Sequence, residues 1–120
     1  MAQKILLIVH AAPYGSERCL SAFRLAATLA ATPAPETPEL RIFLMSDATV
    51  AALPQQQDGQ GNSLPTLIEA LVGHGVPIVL CRTCALARGL ADLPLVPGAR
   101  IGTLPELAQW TVWADKVITF

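Results

Sequence analysis

Short apolar runs alternating with helical stretches restrict this chain to few architectures. Lys4 to Val9, Leu40 to Met45 and Val76 to Leu80 are largely apolar on both faces, without the in–out alternation of a strand that has one wet face. Runs of this kind suit a parallel sheet covered on each side, and parallel strands need a long crossover between them, usually a helix. Gly15 to Ala31 fits the first crossover, with Leu20, Phe23, Leu25, Ala27 and Leu29 among its apolar positions and Ser16 as N-cap. Pro33, Pro35 and Pro38 close it. A short helical start at Ser46 leads into a polar, glycine-containing loop from Pro54 to Ser63, and a second helix from Leu64 to Gly73 ends at Gly73 and Gly75.

Beyond Leu80, a helix is expected from Cys84 to Leu90, followed by a proline-rich passage through Pro94 and Pro97 and a short strand from Ala99 to Ile101. Thr103 and Glu106 have capping-box spacing ahead of a helix carrying Trp110 and Trp113, which share a face suited to core packing or a subunit contact. Lys116 to Phe120 reads as the fifth strand. The expected fold is therefore α/β: one three-layer α/β/α domain over residues 1–120, with a five-stranded, mainly parallel sheet and no repeat or second domain.

Composition excludes several functions. The eight Lys and Arg residues are scattered, and the net charge is −1, which argues against nucleic-acid binding. The apolar run Ile5 to Val9 is too short to span a membrane or to form a signal-peptide core, and the chain reads as cytoplasmic with no membrane partner. In that compartment three cysteines suit reduced thiols better than a disulfide framework. At 52% hydrophobic and 14% charged, the chain is apolar for the surface of a small monomer, and contact with another subunit is expected.

The chemistry concentrates at Cys81-Arg82-Thr83-Cys84, between a strand and a helix. A helix beginning near Thr83 would point unpaired N–H groups at both sulfurs and favour the thiolate, so a lowered thiol pKa is expected. In an α/β sheet functional groups gather beyond the carboxyl ends of the strands, which brings three segments into play: His10 to Glu17, the Ser46-Asp47 corner, and Cys81 to Thr83. Asp47 is placed to orient a donor, act as acid or base, or cap a helix; Tyr14, Gly15 and Ser16 are placed to line the same pocket or to make a turn and cap. Cys19, inside the first helix, reads as core, His10 as a structural residue closing the first strand, and His74 as a surface position. One CxxC without a second, and without HxxH, does not supply a zinc set, so neither metal nor organic cofactor is expected.

Four groups of residues carry a family likeness: Ala12 to Glu17, Phe43 to Ala48, Val76 to Cys84 with Arg88-Gly89, and Gly102-Thr103-Leu104 through Ala114 to Phe120. Together, and in this order, they resemble the DsrE/DsrF-like family, and within it the YchN-type branch. The resemblance implies a flavodoxin-like fold, a homohexamer built as a dimer of trimers, and intracellular sulfur handling with sulfur-donor and sulfur-acceptor proteins as partners. It also implies a persulfide cysteine eight residues before the glycine of an Arg-Gly pair, which selects Cys81; Cys84 departs from the family's single-cysteine pattern. Stabilisation of the anion by Arg82 or Arg88 is expected if those side chains point inward.

Three functions follow as expectations. The first is a sulfur carrier or sulfurtransferase holding sulfane sulfur as a persulfide on Cys81, through thiolate attack on a donor and later release to an acceptor thiol. The second is a thiol-disulfide redox protein cycling Cys81 and Cys84. The third is a non-catalytic oligomer whose clefts hold a small ligand and whose cysteines line the wall.

Overall fold

In the computed structural model, which describes residues 2–57 and 64–120, the apolar runs become the strands of one sheet. These are β1 (Lys4–Val9), β2 (Glu39–Leu44), β3 (Ile78–Cys81), β4 (Ala99–Gly102) and β5 (Lys116–Thr119). Their order is β4-β3-β2-β1-β5, and every neighbouring pair is parallel. The crossovers are α1 (Arg18–Ala30), a 3-10 helix (Ser46–Ala52) with α2 (Leu64–Gly73), α3 (Arg82–Ala87) and α4 (Leu104–Trp113).

This order dictates where the helices go. Steps from β1 to β2, β2 to β3 and β3 to β4 all move one strand in the same direction, and right-handed crossovers therefore stack α1, α2 and α3 on one face. The return from β4 to β5 runs the opposite way and delivers α4 to the other face. Two buried clusters follow. Ile5, Leu7, Val9, Ile42, Leu44, Ile78 and Leu80 pack with Cys19, Phe23, Ile68, Leu71 and Ala85 on the three-helix side. Leu6, Phe43, Val79 and Cys81 pack with Leu107 and Trp110 on the α4 side. Phe23 and Phe43 are wholly buried, each contributing on the order of 2–3 kcal/mol of transfer free energy. The layering is the expected one, although in flavodoxin itself the first strand lies between the second and third.

Several element ends differ from the sequence reading. α1 starts at Arg18 rather than Gly15, because Gly15 adopts φ 87°, outside the helical region. Glu17, not Ser16, occupies the N-cap position, and Ser16 Oγ accepts from the Arg18 N–H at 3.4 Å in a local turn. β3 begins after Pro77, whose carbonyl accepts from the Ile42 N–H at 2.9 Å, and it extends through Cys81. α3 starts two residues and ends three residues earlier than its expected span, ahead of Gly89, which takes φ 69°. Thr103 stands at the N-cap of α4 but makes no capping-box bond, since the Glu106 carboxylate turns to the Arg100 guanidinium instead. Of the loop expected from Pro54 to Ser63, residues 58–63 lie outside the described residues. Among the described residues, no helix is long and apolar enough to cross a membrane.

Candidate functional site

Cys81 is the last residue of β3 and pairs in register with Gly102, the last residue of β4. Chain leaving β3 turns to the three-helix face, whereas chain leaving β4 turns to the α4 face. Adjacent strands whose continuations part in this way open a crevice at their carboxyl ends, the usual place for a ligand in an open α/β sheet. Gly102 keeps that edge narrow: a Cβ there would run into the Val79 side chain and the Glu106 carboxylate.

Cys81 has extended backbone angles, φ −60° and ψ 121°, and stands at the N-cap of α3. Its Sγ accepts from the Cys84 N–H at 3.5 Å, so the sulfur satisfies one of the donors that a helix start leaves open. The residue is 5% exposed and clusters with Leu6, Phe43, Val79, Leu107 and Trp110. Burial pushes the Cys81 thiol above its ordinary value; the N–H groups of Cys84 and Thr83 pull it down, and the neighbouring Cys84 thiol pushes it up again. The net rise corrects the sequence expectation of a lowered pKa: α3 has only six residues, and the apolar α4 face outweighs two N–H donors.

Cys84, one turn on, is half-buried at the rim of the same cluster with Ile8 and Met45. Both cysteines are free thiols, as is Cys19. Cys19 is fully buried in α1 and pushed up to about 12 by that burial, which fits its reading as a core residue.

The other predicted residues fall around this centre in distinct ways. Asp47, at the start of the 3-10 helix, accepts from Arg88 Nε at 2.8 Å, and Arg88 Nη1 donates to the Cys84 carbonyl at 3.1 Å. Asp47 and Arg88 thereby tie the far end of α3 to the Ser46 corner, through a bond to each other and one to the Cys84 carbonyl. Arg82 and Thr83 are exposed on the first turn of α3. Tyr14 is exposed and donates from its hydroxyl to Gln56 Oε1 at 2.7 Å; the Gln56 amide donates to the Val50 and Leu53 carbonyls at 2.6 and 2.9 Å. Tyr14, Gly15 and Ser16 thus belong to a loop tethered to the end of the 3-10 helix. A concavity of about 440 Å³ lined by His10, Arg18, Thr119 and Phe120 lies beside β1 and β5 and contains neither cysteine.

Sequence reasoning missed two contributors to this region. Arg41 of β2 lays its guanidinium 3.9 Å from the Trp113 ring centre and 5.4 Å from that of Trp110, whose ring in turn meets Phe43 edge-on at 5.9 Å. A lone arginine in an apolar strand was the available signal. Gly102, the partner of Cys81, was legible only as part of the family likeness at Gly102-Thr103-Leu104, because its role here depends on strand register.

A parallel α/β sheet whose crossover reversal coincides with a helix-capping cysteine defines a class of protein with one thiol set at a strand end. The chain belongs to the DsrE/DsrF-like family, whose profile matches residues 3–120. It is 48% identical over 118 residues to the YchN protein of Escherichia coli strain K12, covering 98% of this chain and 99% of that one. An uncharacterised protein of Methanocaldococcus jannaschii is 32% identical over 117 residues, covering 98% of this chain and 99% of its own length. The crystal structure of the Escherichia coli YchN protein superposes with a TM-score of 0.91 at 47% identity, over 98% of this chain and 99% of that one. A protein of unknown function from Methanobacterium thermoautotrophicum shares the fold, with a TM-score of 0.76 at 14% identity over the full length of both chains.

Proposed function

We propose that this protein carries sulfane sulfur as a persulfide on Cys81, receiving it from a donor and surrendering it to an acceptor thiol. The observation that carries this reading is the position of Cys81: carboxyl end of β3, at the crossover reversal, with its Sγ already accepting the Cys84 N–H. The DsrE/DsrF-like family, often linked to sulfur relay, supports it. Burial that disfavours a thiolate on Sγ penalises a persulfide less, because the added sulfur carries the charge about 2 Å farther from the apolar cluster. Attack on the donor transfers neutral sulfur and releases the donor thiolate, so no metal or organic cofactor takes part.

A second reading, a Cys81–Cys84 dithiol–disulfide couple, draws on the contact between the Cys81 sulfur and the Cys84 backbone one helical turn away. Intact-mass measurement after exposure of the reduced protein to a sulfane-sulfur donor separates the two. A reducible gain of one sulfur per chain, which peptide mapping of the wild type ends by placing on Cys81, is the carrier outcome; loss of two hydrogens that requires both cysteines is the redox outcome.

The working unit in this proposal is a cytoplasmic homohexamer, a dimer of trimers, meeting separate donor and acceptor proteins. Support for self-association comes from α4, whose outer face presents Leu104 at 60% and Val112 at 87% exposure with Ala108 between them at helical spacing.

A further inference from the structure

The two thiols are ordered from inside to outside. Cys81 is 5% exposed and walled by Leu6, Phe43, Val79, Leu107 and Trp110, whereas Cys84 stands half-buried at the rim of that cluster. Sulfur transfer requires the attacking sulfur, the transferred sulfur and the leaving sulfur to lie nearly in line, with S–S bonds of about 2 Å. For Cys81 to attack a donor directly, the donor would have to reach a sulfur on a residue that is only 5% exposed. Cys84, half-buried against the same cluster, is the more accessible of the two thiols.

We infer that Cys84 is the entry thiol of this site and Cys81 the holding thiol, with sulfur passing between them inside one chain. The inference rests on the carrier reading above and adds the route by which Cys81 is loaded. In the first step the Cys84 thiolate attacks the outer sulfur of a low-molecular-weight persulfide, RS–SH. The Cys84 S–S bond forms, the donor S–S bond breaks, and RS⁻ leaves with the electron pair. In the second step the Cys81 thiolate attacks that same outer sulfur, which keeps its proton; the new bond is to Cys81, and Cys84 departs as thiolate. No net oxidation occurs and no reductant is needed. Burial also makes Cys81 the poorer leaving group, since a thiol held above its ordinary pKa is expelled less readily, so sulfur accumulates on the inner position. The competing attack by Cys81 on Cys84 Sγ would expel HS⁻ and leave a disulfide.

The test uses the full chain with glutathione persulfide as probe, rapid quenching by alkylation, and peptide-level mass spectrometry to place the added sulfur. In the wild type the adduct is expected on Cys84 first and on Cys81 afterwards. Cys81→Ser should retain it on Cys84, and Cys84→Ser, chosen because it keeps the rim filled, should load Cys81 about tenfold more slowly, the factor set by local opening of the rim. The wild-type time course needs no substitution, and circular dichroism of both variants controls for folding. Loading of Cys84→Ser at the wild-type rate, or no adduct on Cys84 in Cys81→Ser, would overturn the relay while leaving the carrier reading intact. A wild-type disulfide with released sulfide would overturn it in favour of redox cycling. Absence of any adduct from the wild type would remove the carrier reading and the relay together.

Discussion

Cys81 stands under opposing influences, and its reactivity depends on which one dominates. Desolvation among apolar side chains favours the thiol, the N–H groups of Thr83 and Cys84 favour the thiolate, and the Cys84 side chain opposes ionisation. Alkylation of Cys81, followed at the peptide level, should therefore keep accelerating above about pH 9.5, where an ordinary cysteine has levelled off. Replacing Cys84 with Ala removes the side-chain influence and keeps the backbone donor, so the midpoint should move down; an unchanged midpoint would show that the two thiols do not interact. Cys19 gives a stability prediction. Its pKa is raised from 9.0 to about 12 in the fold, so its contribution is fully present below pH 9 and is lost as pH climbs from there toward 12. Between pH 8 and pH 10 the wild type should lose on the order of 1 kcal/mol more than Cys19→Ala in denaturant titrations. Equal losses would mean that the thiol is not shielded as its complete burial requires.

At the scale of elements, the site depends on how β3 and β4 end together. Gly102, the register partner of Cys81, lies against Val79 and Glu106, and Glu106 is held by Arg100 across the start of α4, with Nη1 to Oε1 at 3.0 Å. Gly102→Ala forces this corner apart and should cost about 1–3 kcal/mol, seen as a lowered denaturation midpoint. The same variant should also slow sulfur loading of Cys81; a normal rate in a destabilised protein would show that the β4 end does not shape the crevice. α3 is short, and its two ends are secured by different means. Cys81 caps the start, and the Arg88 bond to the Cys84 carbonyl, backed by Asp47, fastens the last turn. Because that ion pair is largely exposed, it orients α3 more than it stabilises the fold.

The whole molecule is asymmetric across its sheet. Among the described residues, three helices and the 3-10 helix cover one face and α4 alone covers the other, leaving Ile8, Met45 and Cys84 half-buried and Val117 at 42% exposure. A second copy seated on the α4 side would extend cover over this face. Light scattering of the wild type should give a mass near six chains, and Val112→Asp on the outer face of α4 should lower it while leaving the far-ultraviolet circular dichroism unchanged. A variant that still forms the full assembly would place the interface elsewhere, and a monomeric wild type would remove the hexamer from the proposal.

Most of the architecture was legible in the residues because its cause is local. Apolar runs with no wet face require a covered parallel sheet, and glycines and prolines mark where each crossover stops; β1 and α2 fall where periodicity put them. The CxxC could likewise be placed at a strand end from the sequence alone. Element ends moved where a longer-range partner changed the outcome, as when Glu106 left its capping position for Arg100. What the tertiary structure decided was the environment of each side chain. The strand order put α4 over Cys81, raised a pKa that helix-end reasoning would lower, and set Cys84 outside Cys81. Burial and strand order depend on residues distant in the chain, Leu6, Phe43 and Trp110 among them, and no spacing around a cysteine encodes who will cover it.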